Sequence, residues 1–135
     1  MAATVAGETR ATSPLRVITP AEHSLQTTQT AGMVRHEVIA APGAWIGITR
    51  TPAGCASAWH HHGEYETYIG VQSGTARMEF GPGGQDTCEA QDGDFIVVPK
   101  GAVHREINPG QTENVLLIIR VGTGEPVFNV DGPAE

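Results

Sequence analysis

Gly93-Asp94-Phe95-Ile96-Val97-Val98-Pro99-Lys100-Gly101-Ala102-Val103-His104-Arg105-Glu106-Ile107-Asn108 reads as a strand, a chain reversal and a second strand. Ile96, Val97 and Val98 are β-branched residues suited to a pleated, half-buried surface. Pro99 fixes φ, and Gly101 accepts a backbone shape that a Cβ resists, so the chain turns there. His104 comes just after the reversal, where it can face a site built by an earlier strand.

The same grammar extends in both directions. Short apolar stretches are cut by Gly, Pro, Asn or Asp at intervals typical of a sandwich or barrel. The pattern predicts strands at 33–39, 45–51, 56–62, 67–72, 75–80, 86–89, 94–98, 103–107, 114–121 and 127–130, with a single helical turn within 20–26. No long window keeps a helical apolar spacing, so the expected fold class is all-β. The 17 glycines and 9 prolines are spread along the 135 residues, which fits many turns and one domain over 15–135. Residues 1–14 are rich in Ala and Thr and are expected to form a flexible arm. They lack the basic start and apolar stretch of a secretory signal, so a cytoplasmic location is expected.

Charge excludes whole classes of partner. The net charge is −7, from 8 basic and 15 acidic residues, and Lys100 is the one lysine. The arginines never cluster, so the basic footprint of nucleic-acid binding or of an anionic membrane surface is missing. The strongest apolar run, 115–119, is far too short to span a bilayer. Cys55 and Cys88 are expected as reduced, buried structural thiols.

Four of the six histidines fall in two short stretches. In His60-His61-His62-Gly63-Glu64-Tyr65-Glu66-Thr67, a strand projects His60 and His62 to one face, with Cα atoms about 7 Å apart. Two imidazoles so placed can converge on one ion. His61 then points to the other face with Trp59, where sheet packing or a subunit contact is expected. Glu66, past the Gly63 turn, can swing its carboxylate back to the same ion, and Glu64 can do so from within the turn. Of Arg105 and Glu106, which flank His104, at least one must point away, and Asn108 is expected to stabilise the turn into Pro109.

These two stretches resemble the cupin superfamily. Its second motif (Gly, five residues, Pro, one, Gly, two, His, three, Asn) is met by Gly93, Pro99, Gly101, His104 and Asn108. Its first motif is met by Gly54, His60, His62 and Glu66, but the closing glycine, Gly74, comes one residue late. Counting back from Gly74 puts Thr67 at the glutamate position. Either a one-residue bulge lies between Glu66 and Gly74, or Glu66 is not a ligand and the centre has three histidines. The resemblance implies a double-stranded β-helix, or jelly-roll barrel, of a small single-domain kind with no agreed activity.

The expected metal ligands are His60, His62, Glu66 and His104, around one divalent transition metal ion: Fe, Mn, Ni, Cu or Zn. A centre with one carboxylate favours a small anionic or enolisable substrate that chelates through oxygen. The resemblance makes a non-haem dioxygenase the first reading, an oxidoreductase in which Glu66 also acts as catalytic base. A redox-neutral lyase, isomerase or decarboxylase is the alternative. A non-catalytic small-molecule binding or sensing protein is the second alternative. A homodimer through open sheet edges is also expected.

Overall fold

In the computed structural model, residues 15–26 and 32–133 are described. The arm expected at 1–14 lies outside them. Alternating apolar and polar residues form eleven strands: β1 (Ser24–Gln26), β2 (Val34–Ala41), β3 (Ala44–Thr51), β4 (His60–His61), β5 (Glu66–Ser73), β6 (Thr75–Phe80), β7 (Asp86–Gln91), β8 (Phe95–Val98), β9 (His104–Ile107), β10 (Asn114–Val121) and β11 (Phe128–Asn129). They pair in two sheets, in the orders β1-β2-β3-β10-β5-β8 and β11-β4-β9-β6-β7. All the strand pairs are antiparallel. Successive strands from β5 onward alternate largely between the sheets, and the fold is a double-stranded β-helix.

Strand periodicity decides what lies inside. Leu116 and Ile118 of β10, Ile69 and Val71 of β5, and Ile96 and Val98 of β8 point inward from the first sheet. Met78 and Ala76 of β6 and Ala90 of β7 meet them from the second. This apolar cluster fills one part of the interior and leaves the rest to polar side chains. Among the described residues no helix is long and apolar enough to cross a membrane.

Two expectations shift. The turn expected within 20–26 is a short 3-10 turn at Pro20–Glu22, and the chain then extends into β1 against β2. The strand expected over 56–62 is reduced to β4 and an isolated bridge between Ala56 and Ile107. Side chains take over ladder partners there. The Ser57 hydroxyl accepts from the Glu106 amide at 2.9 Å, and the Ala58 carbonyl accepts from the His60 ring at 2.8 Å.

The late glycine has a structural cause. Val115 of β10 pairs with Ser73 and Leu116 with Val71, so Gln72 is an extra residue that bulges from β5. Gly74 then turns the chain into β6 at φ +91°, where an added Cβ would stand 3.0 Å from the Asn114 Cβ.

Candidate metal centre

The β4–β9 pairing sets His60 directly opposite His104. Glu106 lies two residues beyond His104 on the same face of β9, and His62 follows β4. One ligand atom from each of His60, His62, His104 and Glu106 lies within 4.8 Å of the other three. All four are buried, none more than 4% exposed.

The three rings are held in one sense. The Nδ1 of His60 bonds to the Ala58 carbonyl at 2.8 Å, that of His62 to the Pro126 carbonyl at 2.9 Å, and that of His104 to the Ala102 carbonyl at 2.9 Å. A carbonyl oxygen only accepts, so each Nδ1 carries the proton and donates. In a neutral ring each Nε2 then keeps a lone pair. The Glu106 carboxylate faces these nitrogens, 3.2 Å from His60 Nε2 and 3.6 Å from His104 Nε2. Within the cluster, His104 Nε2 and Glu106 Oε1 are buried without a hydrogen-bond partner among the described residues. Burial alone would raise the carboxyl pKa of Glu106. The hydrogen bonds and positive charge that His104 and His60 offer in their protonated form outweigh that and hold it well below the usual carboxylate range. His62 is pushed down to about 2, first by burial, then by the charge of Arg120 and by His104 and His60, so its ring stays neutral. Buried lone pairs and a carboxylate that converge in this way fit a divalent cation.

The structure brings together three of the four residues expected from sequence. Glu66 is not in the cluster. It begins β5 with its side chain on the opposite face from buried Thr67, and it accepts a hydrogen bond from the Tyr68 hydroxyl. The bulge expected between Glu66 and Gly74 exists, at Gln72 between Val71 and Ser73, and Glu66 still lies on the face opposite buried Thr67. Glu64 is exposed in the preceding turn. The carboxylate comes instead from Glu106, and the signal for it was the strand period, which turns position 106 to the same side as His104. Arg105 points out, donating to Glu79 at 2.7 Å and lying 5.0 Å from the Trp59 ring.

The neighbours of the centre have structural tasks. His61 stacks on Phe128 on the outer face. Asn108 is fully buried, donating to the Thr51 and Thr112 carbonyls and accepting from the Gly110 amide. Cys55 and Cys88 are unpaired, but both are exposed rather than buried: Cys55 lies in the loop between β3 and β4, and Cys88 on β7, the edge of its sheet. A cavity of about 120 Å³ opens between the edges at β7 and β8. Its walls are apolar, from Met78, Phe80, Ile96 and Val98, and His104 forms part of its lining.

A family model described as a cupin domain matches residues 47–120, more than half of the chain. The protein belongs to the cupin family. Its candidate cluster joins His60 and His62 of the first motif stretch with His104 of the second, and the carboxylate beside them is that of Glu106 on β9. No curated protein matches this cupin. Among solved structures it is similar to an uncharacterized conserved protein with a double-stranded beta-helix domain from Klebsiella pneumoniae, at 17% identity, TM-score 0.70, and coverage of 86% of this chain and 97% of that one. It is also similar to the polyketide cyclase RemF from Streptomyces resistomycificus, at 18% identity, TM-score 0.70, and coverage of 86% and 85%. A predicted oxalate decarboxylase from Thermotoga maritima matches at 14% identity, TM-score 0.68, and coverage of 80% and 100%. At these identities the likeness is one of fold.

Proposed function

We propose that this cupin is a metal-dependent enzyme acting on a small, oxygen-chelating metabolite, with dioxygenation as its reaction. The observation that supports the reading is the set of three Nδ1–H donations to carbonyls, which leaves three Nε2 atoms facing Glu106. In this reading His60, His62, His104 and Glu106 hold one divalent ion of iron, manganese, nickel, copper or zinc. When bound, such an ion supplies Lewis acidity and, if redox-active, the electron transfer that dioxygen chemistry requires.

The chain's own residues do the rest. The carbonyls of Ala58, Pro126 and Ala102 stop the imidazoles from turning, so the ligand set needs little reorganisation on binding. Apolar walls at Met78, Phe80, Ile96 and Val98 exclude water beside His104 and offer dioxygen or an apolar substrate group a dry approach. Glu106, held ionised by its surroundings, supplies the one negative charge of the ligand set.

A redox-neutral reaction on the same centre is the second reading. Two structural neighbours bear the names polyketide cyclase and oxalate decarboxylase, and buried Arg120 offers positive charge to an enolate or carboxylate. The test is oxygen consumption by metal-reconstituted protein over a panel of enols, catechols, flavonols and 1,3-diketones, with products followed by mass. Uptake that disappears in His104→Ala supports dioxygenation, and product without uptake supports the second reading. A substrate-induced rise in Tm with no turnover under any metal would make this cupin a binding or sensing protein instead. A homodimer belongs to the same proposal, because β8 bounds its sheet and exposes Phe95 and Val97. Unpaired Cys55 and Cys88 fit a cytoplasmic setting.

A further inference from the structure

We propose that Arg120 is the anchor for a carboxylate group of the ligand, so that this cupin takes a small carboxylic acid inside the barrel. Arg120 shares the inward face of β10 with Leu116 and Ile118 and is 0% exposed. Its Nε, Nη1 and Nη2 all lack a hydrogen-bond partner among the described residues. A guanidinium presents five donors in a planar fork, and burying that fork unpaired is costly. A side chain kept in this state is set for a ligand that brings the acceptors, and the planar group with two parallel acceptors is a carboxylate.

The surroundings orient the fork and do not satisfy it. The ring of Trp45, the cross-strand neighbour on β3, lies 4.2 Å from the guanidinium carbon, which covers one face and leaves the N–H edge free. On the other side Arg120 pairs in register with Thr67, whose buried hydroxyl also has no partner among the described residues. The buried charged side chains of the described residues are Arg35, Arg120 and Glu106, two cations to one anion. The field of Arg120 reaches both His62 and Glu106, so its fork and the metal-ligand cluster share one interior. Thr67 would contribute its hydroxyl to the bound acid.

The contact with Arg120 stands on the barrel alone; the ligand's further contact with the metal centre rests on the function proposed above. The test is calorimetric titration of the full chain, both Mn(II)-loaded and metal-free, with oxalate, malonate and succinate, and with dimethyl malonate as an uncharged control. At least one acid should bind, Arg120→Met should weaken it tenfold or more, and Arg120→Lys should weaken it less. Mn(II) content should be the same in all three proteins, and the ester should not bind. A purely structural role against Trp45 predicts the reverse: Arg120→Met lowers Tm and leaves acid binding within threefold of wild type. That result, equal binding of the ester, or no binding of any acid to fully Mn(II)-loaded wild type would overturn the proposal. If wild type takes up neither Mn(II) nor iron, nickel, copper or zinc, the metal reading has failed. Acid binding by the metal-free chain that is lost in Arg120→Met would still uphold the anchor, and its absence there would overturn it. Should Arg120→Met not fold, the comparison passes to Arg120→Lys, where unchanged affinity overturns and weakened affinity supports.

Discussion

Lowering the pH from 7.5 to 5.0 should destabilise the metal-free protein through His62 in particular. Its ring titrates at about 2 in the fold against 6.5 in an exposed chain, because burial, Arg120 and the two facing histidines all oppose a charge there. Below pH 6.5 the unfolded chain binds a proton at this residue and the folded chain does not, so stability falls as the pH falls. At 1.36 kcal/mol for each pKa unit crossed, the loss at pH 5.0 is about 2 kcal/mol. Glu106 does not confuse that window. Its depressed pKa contributes stability that is lost only below the ordinary carboxylate value of 4.5. Urea unfolding of chelator-treated protein across this range, in wild type and His62→Gln, isolates the effect, since glutamine stays neutral and retains a donor for the Pro126 carbonyl. With m near 2 kcal/mol/M, the wild-type midpoint should drop by about 1 M more than that of the variant. Parallel midpoints for the two proteins would refute the buried, neutral state assigned to His62.

Asn108→Ala removes two donations and one acceptance from a fully buried turn. It should cost about 3 kcal/mol and lower Tm by roughly 10 °C, with metal content unchanged; scanning calorimetry and metal analysis read both, and metal loss in a folded variant would place Asn108 in the site. Gly74→Ala meets both the positive φ and the Asn114 side chain, so chemical denaturation should show a loss of about 1–2 kcal/mol; a neutral result would mean that the β5–β6 turn is not strained by a Cβ.

The barrel was legible because its signals are local. Turn residues punctuate β-branched runs, and the second motif places Gly101 at a turn with φ +70° and His104 at the start of β9. The register that joins His60 to His104 could be inferred only through the family spacing, since the residues are 44 positions apart. Sequence spacing points to Glu66, whereas the carboxylate that lies within the buried cluster is that of Glu106: Glu66 alternates with buried Thr67, and Glu106 keeps the parity of His104. In sequence Arg120 reads only as an isolated arginine in an apolar strand. The same alternation that buries Leu116 and Ile118 carries it inward. Burial of Arg35 depends on pairing with β3, where it lies opposite Thr49, and no local pattern encodes that.

Metal content most directly tests the central claim that one cation is held by three imidazoles and the carboxylate of β9. Untagged protein should be reconstituted and desalted beside Glu106→Gln, Glu66→Gln and His104→Ala, and each protein analysed by mass spectrometry for bound metal. One ion per chain should remain in wild type and in Glu66→Gln, with large losses in Glu106→Gln and His104→Ala. Retention in Glu106→Gln together with loss in Glu66→Gln would contradict the account.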